Sequence, residues 1–198
     1  MTLLKDSLKD KQIILASASP RRKELMQGLG IEIKIDTKNN FEEIVPLDIN
    51  VNDVPEYMAK GKSYGFHRDL SDNEIIITAD TMVLCNGEIL GKTKDKTDAV
   101  RMLTMLQNNV HTVITGVCIR DNVKCHSFSV TTDVFFNTLS DSEIEYYIEN
   151  YKPFDKAGAY GVQEWIGYVG ISRIEGSYFN VVGLPVQRLY KELEAFLA

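Results

Sequence analysis

Ile13-Ile14-Leu15-Ala16-Ser17-Ala18-Ser19-Pro20-Arg21-Arg22-Lys23-Glu24-Leu25 reads as a strand, a tight turn and the opening of a helix. The run Ile13–Ala16 is apolar and short enough for a buried strand. Ser19 suits an N-cap and Pro20 a first helical residue, so the spacing predicts a helix running to about Leu29. Ser17, Ser19, Arg21 and Arg22 then stand near one helix N-terminus, where backbone N–H groups and guanidinium forks favour an anion such as phosphate. The plain alternative is an ordinary strand-to-helix turn with two solvated arginines. The pattern matches neither the P-loop nor the dinucleotide fingerprint.

Outward from this stretch, Gly28 and Gly30 stop the helix, and Ile31, Ile33 and Ile35 alternate as a strand. A helix is predicted from about Asp53, as its cap, to Leu70, with Met58, Ala59, Lys62 and Phe66 on one face. Lys62 on an apolar face calls for a partner, unless its stem merely covers apolar surface. Gly61 interrupts that helix. Glu74–Ala79 is the best candidate for a central strand, ending at Asp80-Thr81 and resuming as Met82–Cys85. A carboxylate at that junction must be paired, metal-bound or reached by solvent, unless it only caps a turn. Asn86-Gly87 signals a type I′ hairpin. A helix over Thr97–Leu106, strands over Val110–Arg120 and Val123–Asn137, and a helix opened by the capping box Ser140–Glu143 follow. Asp155–Gln163 is glycine-rich and irregular, and Lys156 adds a cation there. The chain closes with a strand near Val169–Ile174 and a helix from about Pro185 to Leu197.

The 198 residues suit a single domain, 1–198, with no repeat or linker to justify a cut. A net charge of −6 argues against a general nucleic-acid binder, though a local basic pocket can survive in an acidic chain. Cys85, Cys118 and Cys125 form no C-x-x-C pair, which fits reduced thiols. The first residues lack a signal-peptide core, and no apolar run approaches the roughly 20 residues of a membrane span. The expectation is a cytoplasmic protein away from membranes. His67, His111 and His126 lack zinc-ligand spacing, and no nucleophile elbow, Walker A or G-x-G-x-x-G is present. What remains is a set of cations at strand ends, Arg21, Arg22, Lys62, Lys92 and Lys156, with Asp80 and Glu43 as acids. Cations that clamp a polyphosphate and an acid that orients water or holds a divalent ion are the parts of phosphoryl chemistry.

Taken together, Leu15–Leu25, Ala79-Asp80-Thr81, Asn86–Lys92, His111–Val117, Asp155–Gln163 and Val181–Pro185 resemble the Maf family of nucleoside triphosphate pyrophosphatases, which is related to septum-formation inhibitors. The resemblance implies an α/β fold akin to that of inosine triphosphatases: a long twisted mixed sheet flanked by helices, with two lobes and a deep cleft. It implies hydrolysis of a nucleoside triphosphate to the monophosphate and pyrophosphate with a divalent cation, Mg²⁺ or Mn²⁺, in a homodimer. Asp80 matches the family's proton acceptor, and Glu43 an acidic position near the metal, which Asp80 would share. Arg22, Lys62 and Lys92 match positions that hold phosphates, and Ser17 and Ser19 the loop facing them. Arg21, Thr81 and Gln163 match base-specificity positions and resemble the branch acting on dTTP and UTP, with clearance of modified pyrimidine nucleotides as one purpose. A 7-methyl-GTP pyrophosphatase and a nucleotide-binding regulator of septum formation are the alternatives. Glu164–Tyr168 is bulkier and more acidic than the family's usual continuation after the glutamine.

Overall fold

A computed structural model of the chain describes residues 3–198. The architecture is α/β. Strands β1 (Gln12–Leu15), β2 (Ile33–Ile35), β3 (Glu74–Cys85), β4 (Glu88–Leu90), β5 (Val110–Arg120), β6 (Cys125–Phe136) and β7 (Ile171–Glu175) form one sheet. Its order is β2-β1-β3-β5-β6-β7, with β4 paired to β3. The sheet is mixed: β1 runs parallel to β2 and β3, whereas β3–β4 and β6–β7 are antiparallel. Helices α1 (Leu4–Ser7), α2 (Pro20–Gly28), α3 (Val54–Tyr64), α4 (Lys96–Leu106), α5 (Asp141–Tyr151), α6 (Trp165–Gly170), α7 (Tyr178–Val182) and α8 (Val186–Leu197) flank it.

Two compact units divide the chain, each with its own core. Among the described residues, the first comprises those up to Asp80, Thr115–Val130 and Gly183–Ala198. In it Ile13 and Leu15 of β1 and Ile75 and Ile77 of β3 bury one face beneath Val186, Leu189, Leu193 and Phe196 of α8. Those α8 positions recur at three and four residues, the stripe a helix presents to a sheet. Ile14 and Ile76, one step out of phase, join Phe66 and Leu70 in a small core on the other face. Period-2 alternation thus sorts two isoleucine-rich strands between two layers.

The second unit comprises Thr81–Ile114 and Thr131–Val182. Its core gathers Val83, Leu90, Leu103, Leu106, Val134, Tyr147, Ile148 and Ile166. Ser140 and Glu143 form the expected capping box at the start of α5. Asn86 and Gly87 take φ of 52° and 79°, as a two-residue hairpin between β3 and β4 requires.

The structure departs from the sequence reading in four places. The helix expected over Asp53–Leu70 ends at Tyr64, because Gly65 caps it and the next residues carry Phe66 and Leu70 into the small core. Asp53 makes no side-chain cap; Asn50 instead accepts from Asn52 N and opens a 3₁₀ turn, Val51–Asp53, that leads into α3. The strand expected near Val169–Ile174 begins only at Ile171, behind the short helix α6, since a handful of apolar residues carries no decisive period. Finally, β3 runs unbroken through Asp80 and Thr81, so the acid is a strand residue and not part of a turn.

Candidate active site

Strand β1 delivers the chain into Ser17, whose Oγ accepts from Ser19 N at 3.3 Å. Ser19 caps α2, its Oγ accepting from Arg22 N, with Pro20 in the first turn as the sequence requires. This turn aims Arg22 inward. Its Nε donates to Gly183 O and its Nη1 to Ala79 O, both at 2.8 Å, with Ser17 Oγ at 3.3 Å from Nη1. Burial lowers the Arg22 pKa, the nearby Asp80 carboxylate opposes that, and Arg21 adds to it. Arg22 is therefore a rigid, desolvated cation beside the acid, fixed by main-chain carbonyls.

Asp80 is reached from the other side by α3. Gly116 of β5 lets this helix in, because a Cβ there would strike Pro55 O and Glu56 N of its first turn. Thr78 Oγ1 donates to Ala59 O at 2.6 Å, pinning α3 to β3 through a buried hydroxyl. Two residues further along β3 and three along α3, on the faces so joined, Lys62 Nζ lies 2.6 Å from Asp80 Oδ1. The same ammonium sits 3.0 Å from Glu43 Oε1. The lysine and the aspartate are about a fifth to a quarter exposed, while Glu43 is 60% exposed. Acid, ammonium and acid thus form a line that starts in the protein and ends at solvent. The odd placement of Lys62 is explained by its two partners rather than by its stem covering apolar surface.

The pleat of β3 separates neighbours. Ile76, Thr78 and Asp80 share the α3 side, and Thr81 follows Ile77 and Ala79 on the other. Arg21 is half-buried in the first turn of α2, one residue before Arg22.

In the second unit, Lys92 follows β4, and its main chain bridges to Ala157 while its residue as a whole is exposed. Gly158, at φ 69°, turns back so that its N–H reaches Leu90 O and Gly91 O at 3.0 and 3.2 Å. The glycine-rich segment is therefore tied to the strand end that carries Lys92. Lys156 is differently employed: its ammonium lies 3.0 Å from Asp155 Oδ1 and 3.2 Å from Glu164 Oε1, with the side chain 9% exposed. Glu164 also accepts from the Tyr147 hydroxyl, which in turn accepts from Gly161 N at 2.9 Å. Burial, then Glu164, raises the Tyr147 pKa, so the hydroxyl stays a donor. The acidic departure after the glutamine is thus the hub of a clamp on the loop Gly161–Glu164. Gln163 stands inside that loop, half-buried, with Oε1 buried and bonded to no protein group.

Sequence reasoning does not single out Thr78. Its signal is one hydroxyl within an isoleucine-rich run. Among the described residues no group of three or more His, Cys, Asp or Glu side chains could hold a metal. Asp80 and Glu43, converging on one cation, are the hard oxygen donors that Mg²⁺ or Mn²⁺ accepts when phosphates complete its shell. The residues fit such an ion.

Among curated proteins, a dTTP/UTP pyrophosphatase of Phocaeicola vulgatus is 50% identical over 189 residues, 96% of this chain and 98% of the relative. A protein of the same name from Bacteroides thetaiotaomicron is 48% identical over 183 residues, covering 92% and 95%. One from Flavobacterium psychrophilum is 46% identical over 188 residues, covering 95% and 96%. The family model described as Maf-like protein matches residues 12–196, which takes in every candidate site residue, and the chain belongs to that family.

Proposed function

We propose that this protein hydrolyses dTTP and UTP to the nucleoside monophosphate and pyrophosphate. The names and near-complete coverage of its relatives support this reading. The observation that carries it into this chain's chemistry is the Asp80 carboxylate held 2.6 Å from the Lys62 ammonium, with Glu43 on the same cation. Asp80, as the proton acceptor, takes the proton of the attacking water. Lys62 orients that carboxylate and is placed to meet phosphate charge. Arg22 offers a fixed guanidinium beside the acid, and its desolvation strengthens its pull on an anion. Ser17, Ser19 and Lys92 complete the phosphate-binding set. Lys156 acts through the loop it clamps. Arg21, Thr81 and Gln163 select the base. A bound Mg²⁺ or Mn²⁺, held by Asp80 and Glu43, would supply charge neutralisation on the phosphates. The same reading makes the protein a cytoplasmic homodimer; no helix among the described residues is long and apolar enough to cross a membrane.

The test is pyrophosphate release from dTTP, UTP, CTP, GTP and 7-methyl-GTP, with the wild type and Asp80→Asn side by side. Release is expected mainly from dTTP and UTP. In the variant, loss of a general base lowers kcat by about 10²–10⁴-fold while nucleotide binding persists. Full turnover in Asp80→Asn sinks the assignment of the base.

A further inference from the structure

Gly61 looks out of place inside α3, since glycine weakens a helix interior. Its lack of a side chain is used by Phe41. A Cβ at Gly61 would clash with Cζ, Cε2 and Cε1 of the Phe41 ring, and one at Gly65 would meet Phe41 Cβ at 2.6 Å and Asn39 Oδ1 at 2.7 Å. Gly61 and Gly65, four residues apart, lie on one helix face and leave a strip of bare backbone there. The segment before Glu43 is strapped along it. Asn39 Nδ2 donates to Lys62 O at 2.5 Å, Asn39 Oδ1 accepts from Phe41 N at 2.8 Å, and Asn40 N donates to Gly65 O at 2.7 Å. The Phe41 ring meets Tyr57 of α3 edge-on at 6.3 Å.

Beyond Phe41 the anchoring stops. No residue from 41 to 53 is fully buried, and Ile44 and Leu47 are 66% and 106% exposed. Glu43 therefore has two things to hold it: its ion pair with Lys62 and its link to Phe41. At 60% exposure the pair contributes little by itself. We infer that Phe41, seated on Gly61, is a positioning residue that sets Glu43 against Lys62, and so completes the array around Asp80. This rests on the catalytic reading of Asp80, Lys62 and Glu43.

The experiment compares Phe41→Ala, Gly61→Ala and the double variant, each with Glu43 intact and with Glu43→Gln. Steady-state dTTP hydrolysis is one readout. The other is competitive acetylation of Lys62 followed by mass spectrometry, which needs no turnover. Each single variant is expected to lower kcat about tenfold, the scale of a small misplacement, with KM for dTTP changed less than about threefold. The double variant does no worse than Phe41→Ala, because the methyl added on α3 then has no ring to displace. In the Glu43→Gln background, the Phe41 and Gly61 substitutions change kcat no further. Lys62 acetylation rises alike in Phe41→Ala, Gly61→Ala and Glu43→Gln. If the singles lower the melting temperature but leave kcat and Lys62 acetylation at wild-type values, Phe41 only packs and the inference is overturned. If Glu43→Gln keeps wild-type kcat, the catalytic reading of Glu43 fails, and acetylation alone then decides whether Phe41 positions it.

Discussion

The Gln163 side chain carries an acceptor with nothing to accept, buried in a loop that Glu164, Tyr147 and Lys156 hold in place. Leaving such an atom unsatisfied costs about 1–3 kcal/mol, a cost removed when a donor arrives. Uracil and thymine present an N3–H donor at their pairing edge, whereas cytosine presents an acceptor there, so under the proposed role of Gln163 in base selection Oε1 would favour the first two bases over the third. Gln163→Leu is expected to raise KM for dTTP and UTP about 10–100-fold, narrowing discrimination against CTP while leaving kcat close to wild type. Steady-state kinetics on the three nucleotides checks this, and an unchanged UTP-to-CTP ratio would count against it. Part of the site was legible in the sequence because charge in an apolar setting demands a partner. That argument singled out Asp80 and Lys62, though not that they pair with each other. Lys156 shows the limit: as a cation among glycines it invited phosphate, but its partner Glu164 lies eight residues away across a turn that only the fold closes.

Elements whose ends are fixed by local chemistry could be read directly. Ser19-Pro20 opens α2, Asn86-Gly87 turns β3 into β4, and Ser140 with Glu143 opens α5, each within four residues of its cause. Elements decided by tertiary contact could not: α3 ends where Phe66 is needed by Ile14 and Ile76, and α6 exists where Gly167 lets its backbone approach Val162 O. The strands also set how acid acts on stability. His111 of β5 is buried beside the Tyr160 hydroxyl, at 2.7 Å, and burial brings its pKa from 6.5 down to about 3. Below pH 6.5 the unfolded chain takes up a proton that the folded chain refuses, so stability falls from there down to about pH 3. Glu74 at the start of β3 adds a lower step. Its paired bonds with Arg68 hold it at about 2, so the stability it contributes is full above 4.5 and lost as pH falls through about 2. Melting temperature plotted against pH should begin to fall near 6.5, and His111→Phe should flatten that first decline although it lowers stability at neutral pH. A wild-type curve level down to about pH 4.5 would show that His111 is protonated in the folded state.

At the scale of the molecule, the chain passes between its two units after Asp80, Ile114, Val130 and Val182. Three of those crossings fall inside single strands, β3, β5 and β6, so continuous strands and not linkers join the units. Each unit is assembled from separated segments, three in the first and two in the second. Unfolding by heat or urea is therefore expected as one transition that fluorescence and far-ultraviolet circular dichroism report together, and two separated transitions would refute it. In β3 this continuity has one more consequence. A pleated strand keeps phase as a printed reading frame does: its meaning depends on counting. Removing one residue between Glu74 and Asp80 would turn the carboxylate away from Lys62 and present Thr81 in its stead, although every candidate site residue would still be encoded. Removing two would restore the phase and shorten only the reach. The acid is specified by its parity along β3 as much as by its identity.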